Sequence, residues 1–353
     1  MNVLSPARPL PLHDLLGASF VFNSEVTALA WDRDFACFGL ADGAVVILRA
    51  HWEGAPEIKP RAGGGAEIAA GTAPPPPPVI FKLHEGAVLA LAGDALGGVV
   101  SGGADGFFKR LIDGEEQRLE EKPRRRIEAV AAGRGARRAF AAGRQVDARG
   151  PEQKHQELPG PVTALAYDPA GLHLAVGYEG GVSLEACGIR KAPRFEEAGA
   201  HTLLAWRPDG QVIAAAGPKN LALRDRAAAD WQVVTGLAGP VTSIGFLPCG
   251  TLIAGGADFI QVVTDGVAGE ALAACGPVAC HPRFKIFAGT GADGAIHLRR
   301  PGVPGTMMIR EPGPAVSRLA FSPDGTALAF ATVENEAGTV ILPDLLFRFG
   351  DAT

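Results

Sequence analysis

Val316-Ser317-Arg318-Leu319-Ala320-Phe321-Ser322-Pro323-Asp324-Gly325 is the stretch that decides the fold. It reads as an alternating apolar strand that ends on an aromatic and runs into a Pro-Asp-Gly turn. The phrase returns as Val162-Thr163-Ala164-Leu165-Ala166-Tyr167-Asp168-Pro169-Ala170-Gly171 and as Leu203-Leu204-Ala205-Trp206-Arg207-Pro208-Asp209-Gly210. It returns again as Val241-Thr242-Ser243-Ile244-Gly245-Phe246-Leu247-Pro248-Cys249-Gly250. A version without the proline opens the series, Val26-Thr27-Ala28-Leu29-Ala30-Trp31-Asp32.

Working outward, each copy is followed by a second strand that closes on a tight turn, such as Ala41-Asp42-Gly43, Gly103-Ala104-Asp105-Gly106, Gly256-Ala257-Asp258 or Gly291-Ala292-Asp293-Gly294. A third strand follows, for example Val45-Val46-Ile47-Leu48 or Ile260-Gln261-Val262-Val263. Glycine supplies the positive φ that such turns need, and β-branched residues fill the pleat. Units begin near Val26, Val88, Ile127, Val162, His201, Val241, Pro277 and Val316, at spacings of 62, 39, 35, 39, 40, 36 and 39. A period near 40 with three or four strands per unit predicts an all-β fold, a β-propeller of four-stranded antiparallel blades.

Composition agrees. Gly 47 and Pro 28 make 75 of 353 residues, turn chemistry that a helical bundle would not tolerate. The net charge of −5 disfavours a dedicated nucleic-acid binder. The high Arg, Ala, Gly and Pro content reads as the bias of a high-GC genome. Five scattered cysteines, Cys37, Cys187, Cys249, Cys275 and Cys280, point to a reducing compartment. With no leader-like segment or long apolar run, a soluble cytoplasmic protein is expected, with no membrane contact.

The units resemble WD40 repeats of the bacterial type, above all Leu83-His84-Glu85-Gly86-Ala87-Val88 with Ser101-Gly102-Gly103-Ala104-Asp105-Gly106. The resemblance covers nearly the whole chain after the first ~20 residues. It implies that His84, Ser101 and Asp105 form the structural hydrogen bonds of the repeat. The sequence departs from the pattern at the fourth position of that network, Leu111, and no third strand ends in Trp-Asp. The unit count predicts eight blades, with seven, the commoner number in the family, as the alternative. The orphan strand Ala18-Ser19-Phe20-Val21-Phe22 is expected to complete the last blade, which otherwise has only three strands and a sticky edge. One propeller domain then occupies residues 1–353.

Two segments stand apart from the repeat. Residues 50–78 form a Gly/Pro-rich insertion in the first blade, with Trp52, the run Gly63-Gly64-Gly65 and five prolines from Pro74 to Pro78. It reads either as a spacer or as a polyproline ligand, and little apolar surface suggests an exposed, poorly held loop. From Arg118 to Arg149 there are ten Lys or Arg against four Asp or Glu, densest at Lys122-Pro123-Arg124-Arg125-Arg126.

Catalytic chemistry is sparse. Cys275, Cys280 and His281 lie close in sequence, but Cys280 occupies the repeat's aromatic position and His281 its turn, so a metal site is not expected. The inner strands carry few ionisable residues: Glu128, Arg318 and, where a strand begins, His201. Glu334 and Glu336 could bind a cation or simply be solvated. The expectation is a non-catalytic protein–protein interaction scaffold without cofactor or metal. The links into the inner strands share one face of the disc with the Asp-Gly turns, and Arg124, Arg125, Arg126, Glu334 and Glu336 are the expected partner-binding residues there. The alternatives are a propeller enzyme or metal-binding propeller acting at the channel mouth, and nucleic-acid association through the basic loop.

Overall fold

The computed structural model describes residues 11–61, 66–151, 153–186, 194–200, 203–217, 220–228 and 230–344. Eight antiparallel blade sheets follow one another around a ring. Blade 1 contains Val26–Asp32, Phe35–Leu40, Ala44–Arg49 and Val79–Lys82. Blade 2 contains Val88–Gly93, Val99–Gly103, Phe107–Ile112 and Glu115–Glu121, and blade 3 contains Ala129–Ala132, Arg138–Ala142, Gln145–Arg149 and Lys154–Glu157. Blade 4 has three strands, Val162–Tyr167, His173–Ala186 and Arg194–Ala200. Blade 5 contains Leu203–Trp206, Val212–Ala216, Leu221–Asp225 and Gln232–Val233. In blade 6 the strands Val241–Phe246, Leu252–Gly256 and Phe259–Thr264 are edged by two short segments, Val267–Ala268 and Leu272–Ala273. Blade 7 contains Cys275–Cys280, Phe287–Thr290, Ile296–Arg299 and Met307–Arg310. Blade 8 is built from Val316–Phe321, Ala327–Thr332 and Glu336–Ile341, and its fourth strand is Gly17–Val21 from the other end of the chain.

Counting only sheets of four or more strands gives seven, because blade 4 has three. The core settles the count at eight. Each innermost strand touches the next, and the last touches the first. Eight apolar clusters fill the eight junctions between neighbouring blades, for example Val99 and Leu111 against Ala30 and Val45, or Phe108 against Phe140. Stability therefore resides between blades, where apolar faces of two twisted sheets leave water together.

The aromatic that ends an inner strand ties neighbours together. Trp31 donates its indole N–H to the Ala320 carbonyl at 3.2 Å, and Trp206 donates to the Ala166 carbonyl at 3.1 Å. Both acceptors lie one residue before the aromatic of the preceding blade, so the same register is used twice. In blade 2 that position is Gly93, where a Cβ would come within 2.2 Å of the Trp31 carbonyl. Only glycine fits so close to a neighbouring backbone.

The Asp-Gly turns work as their chemistry dictates. Asp42, Asp105 and Asp293 each accept a hydrogen bond from the backbone N–H two residues on, and Gly43, Gly106 and Gly294 have φ of +94°, +84° and +79°. The aspartate closes the turn and the glycine takes the left-handed conformation.

The ring closes as the orphan strand implied. Gly17 to Val21 pair antiparallel with Val340 to Glu336. The short helix Leu12–Leu16 precedes that strand and buries Leu12 and Leu16 against blades 7 and 8. Phe20 and Phe22 pack half-buried on the junction of blades 8 and 1.

The insertion lies between the third and fourth strands of blade 1, but it is better held than its composition suggested. Glu57–Pro60 and Ala66–Ala69 form a hairpin. Trp52, Ala55 and Ile58 pack partly buried on the apolar cluster of blades 7 and 8, and the His51 ring hydrogen-bonds the Thr326 hydroxyl at 2.9 Å. Loop entropy alone therefore underestimates the loss from excising it, because anchoring apolar contacts go too. Gly63, Gly64 and Gly65 lie outside the described residues.

Candidate functional site

In the four-stranded blades, strand alternation assigns the described loops to faces. The links between blades and the turns between second and third strands share one face, here called the link face. The turns between first and second strands share the opposite face with the connections to the fourth strands.

On the link face, the segment from Lys122 to Ile127 joins blade 2 to blade 3. Three backbone hydrogen bonds shape it: Lys122 N–H to Gly106 O at 2.8 Å, Ile127 N–H to Gly103 O at 3.0 Å, and Arg125 N–H to Lys122 O at 3.1 Å. Arg124 takes the left-handed conformation, φ +62°, which turns the chain sharply at its crest. Ile127 is buried as the anchor, while Arg124, Arg125 and Arg126 are exposed. Lys122 is committed inward to Asp147 at 2.9 Å, and Arg126 lies 3.9 Å from Glu128. Among the described residues no ion pair reaches Arg124 or Arg125.

Glu334 is exposed on the same face, in the turn between the second and third strands of blade 8. Glu336 is different. It begins the third strand of that blade, and its carboxylate accepts from the Arg310 guanidinium of blade 7 at 2.6 Å. It is a tie between blades, so the expectation of a free surface carboxylate at Glu336 is corrected. The arginine became its partner only because blades 7 and 8 stack.

The predicted hydrogen-bond network of blade 2 forms in full. His84 Nδ1 lies 2.9 Å from Asp105 Oδ1, and His84 Nε2 lies 2.9 Å from the Ser101 hydroxyl. Asp105 also accepts from the backbone N–H groups of Glu85 and Phe107. Burial lowers the His84 pKa, and the Asp105 carboxylate offsets this only partly. Burial alone would raise the Asp105 pKa, but the two backbone N–H groups and His84 outweigh it and hold it low. The network pins the start of blade 2 to its own second turn, a structural role. His84→Ala and Asp105→Ala are expected to couple by about 1–3 kcal/mol in a double-mutant cycle read by urea melts, because either change strands a buried partner. Additive effects would mean that the two side chains act separately.

The cysteine and histidine cluster near residue 280 is structural. Cys280 is a core thiol against Gly245, where a Cβ would come within 3.0 Å of the sulfur, and burial pushes its pKa up. Cys275 donates to the Gly291 carbonyl at 3.1 Å. His281 accepts the Arg283 and Phe284 N–H groups on Nδ1 and faces the Gly325 carbonyl with Nε2, each at 3.0 Å. Two backbone donors on Nδ1 require the proton to sit on Nε2. Among the described residues, no group of three His, Cys, Asp or Glu is placed to hold a metal. His201 and Cys187 lie outside the described residues.

Two cavities among the described residues bear on the site. One of about 330 Å³ lies in the central channel, lined by Leu165, Leu203, Leu204 and Ile244 with Glu128 as its acid. Arg318, on the inner strand of blade 8, spends its guanidinium on the Ser317 and Thr27 carbonyls and so braces the closing junction. The second, about 600 Å³, is an open cleft between blades 5 and 6 on the face opposite the link face. It is lined by Arg207, Asp209, Asp225, Asp230, Cys249 and Asp265, and Arg207 pairs with Asp209 at 2.9 Å.

One buried charge cluster was not foreseen. Asp94 accepts a hydrogen bond from Arg138 at 2.6 Å and forms an ion pair with Arg110 at 3.1 Å, tying blade 2 to blade 3. Its signal was in the repeat: the residue after the aromatic position is polar in most units, as in Asp94, Asp168, Arg207, His281 and Ser322.

No protein-family model matches the chain. No curated protein matches it either. Among solved structures, the crystal structure of the computationally designed Ika8 protein is similar, with a TM-score of 0.68 and 18% identity over 91% of this chain and 97% of that one. The fold is a β-propeller. At that identity the likeness concerns the fold alone. No helix among the described residues is long and apolar enough to cross a membrane.

Proposed function

We propose that the protein is a non-catalytic, WD-repeat-like scaffold that holds one or more proteins on its link face. The observation that carries this reading is the Arg124–Arg126 turn, three exposed guanidiniums on a loop fixed by backbone hydrogen bonds. A rigid scaffold that positions variable loops is a common architecture for recognition. Glu334, on a blade that is not a neighbour, supplies the opposite sign on the same face. A partner that meets both charges is oriented before it docks, and such complementarity acts on association rate more than on total affinity. Nucleic acid is disfavoured as the partner, because the protein is acidic overall and its basic turn is short.

Arg124→Glu/Arg125→Glu/Arg126→Glu is expected to slow association with an isolated partner about tenfold or more at low salt, and much less at 0.5 M salt. Stopped-flow or surface-based kinetics at both ionic strengths measure this. Unchanged low-salt kinetics would move the contact to the opposite face.

A further inference from the structure

Residues 74–80, Pro74-Pro75-Pro76-Pro77-Pro78-Val79-Ile80, are an uncharged apolar stretch on the outside of the molecule. Pro74, Pro75 and Pro77 are exposed, and Val79 and Ile80 are 52% and 59% exposed. The outer strand of blade 2, by contrast, is covered with charge: Glu115–Glu121 carries Glu115, Glu116, Arg118, Glu120 and Glu121. Leaving three prolines and two aliphatic residues uncovered exposes apolar area with no benefit to folding, and such patches mark interaction sites.

The stretch is also held at both ends. On the N-terminal side, Thr72 and Ala73 donate their N–H groups to Gly54 O at 2.8 and 3.2 Å, and the Trp52 indole donates to Ala73 O at 3.1 Å. On the C-terminal side, Val79 pairs with Ile47 in blade 1. Proline fixes φ, and each residue before a proline is driven to the extended region, so consecutive prolines favour polyproline II. With three residues per turn, Pro74 and Pro77 fall on one edge and Pro75 and Pro78 on the next, the P-x-x-P spacing read by aromatic-lined grooves. A strap already extended and tethered loses little entropy on binding.

We propose that Pro74–Pro78 is a preorganised docking strap for a partner domain with an aromatic-lined, polyproline-binding groove. Val79 and Ile80 extend the apolar footprint. Because the strap emerges on the face opposite Arg124–Arg126, both partners can be held at once.

The probes are three purified domains with such grooves, one SH3, one WW and one EVH1 domain, titrated with the full protein while their groove resonances are followed by NMR. At least one is expected to bind with a Kd at or below about 100 μM. Pro74→Ala/Pro77→Ala should weaken that binding at least tenfold with the melting temperature unchanged. Trp52→Ala, which releases the N-terminal tether, should weaken it several-fold, as should replacing the protein by the free peptide of residues 73–82. Arg124→Glu/Arg125→Glu/Arg126→Glu should leave it unchanged, so failure here is separable from failure of the link-face reading. No binding to any of the three domains, or equal binding by the double proline variant, would overturn the proposal. Equal affinity of the free peptide would overturn the preorganisation.

Discussion

A protein truncated up to Asn23 is expected to lose at least about 5 kcal/mol and to aggregate at concentrations where the full chain stays monodisperse. The estimate comes from Leu12 and Leu16, both buried against blades 7 and 8, at roughly 2–3 kcal/mol for each buried leucine. The ladder from Gly17 to Val21 is lost as well, and with it the cover over the third strand of blade 8. That strand, Glu336–Ile341, would then offer its free edge to other chains. Phe20 and Phe22 also leave the junction between blades 8 and 1, the one junction that closes the ring. Urea melts and light scattering of the truncated and full proteins measure both effects. Equal stability and a monodisperse truncated protein would show that the ring does not depend on this strand.

The second large effect belongs to His281. It is fully buried, its ring lies 5.0 Å from both Phe284 and Phe321, and it joins the blade 7 turn to Gly325 of blade 8. His281→Ala strands two backbone donors and a carbonyl and opens a cavity between two aromatic rings. A loss of about 3–5 kcal/mol is expected. The same residue confers a pH dependence. Burial lowers its pKa to about 4, well under the ordinary value of 6.5. Between these values the unfolded chain binds a proton that the folded protein refuses. Stability should therefore fall as pH drops from 6.5 towards 4, and this residue adds no further loss below that. His84 acts in the same direction. The carboxylates Asp105, Asp147 and Asp324 have lowered pKa values, so their losses begin below the ordinary value of 3.8, in a separate window. Urea melts at pH 7.5, 5.5 and 4.5 should show a shallower decline in His281→Phe than in the native protein. Parallel declines would place the pH dependence elsewhere.

What could be read from the sequence follows from what is local and repeated. All eight blades begin within two residues of the starts expected from the repeat, and five begin on them, at Val26, Val88, Val162, Val241 and Val316. The strand phrase and the Asp-Gly turn are local chemistry, and repetition averages out the noise of any one copy. The closing strand was legible for a different reason: a three-stranded last blade needs an edge, and Gly17–Val21 had no other sheet to join. The insertion was misjudged because its anchors are not local. Trp52, Ala55 and Ile58 find their apolar surface on blades 7 and 8, more than 200 residues away in sequence. Glu336 was misjudged for the same reason, since Arg310 reaches it across a blade junction. The exposed Arg124–Arg126 turn was legible, because a charge run flanked by a proline and a buried isoleucine has few other places to go.

The most direct test of the scaffold reading is a quantitative affinity capture run in parallel with the native protein, the Arg124→Glu/Arg125→Glu/Arg126→Glu variant and the Pro74→Ala/Pro77→Ala variant, all folded by circular dichroism, at low salt. The account predicts that the arginine variant loses a defined set of captured proteins that the proline variant retains. The same set captured by all three would contradict it.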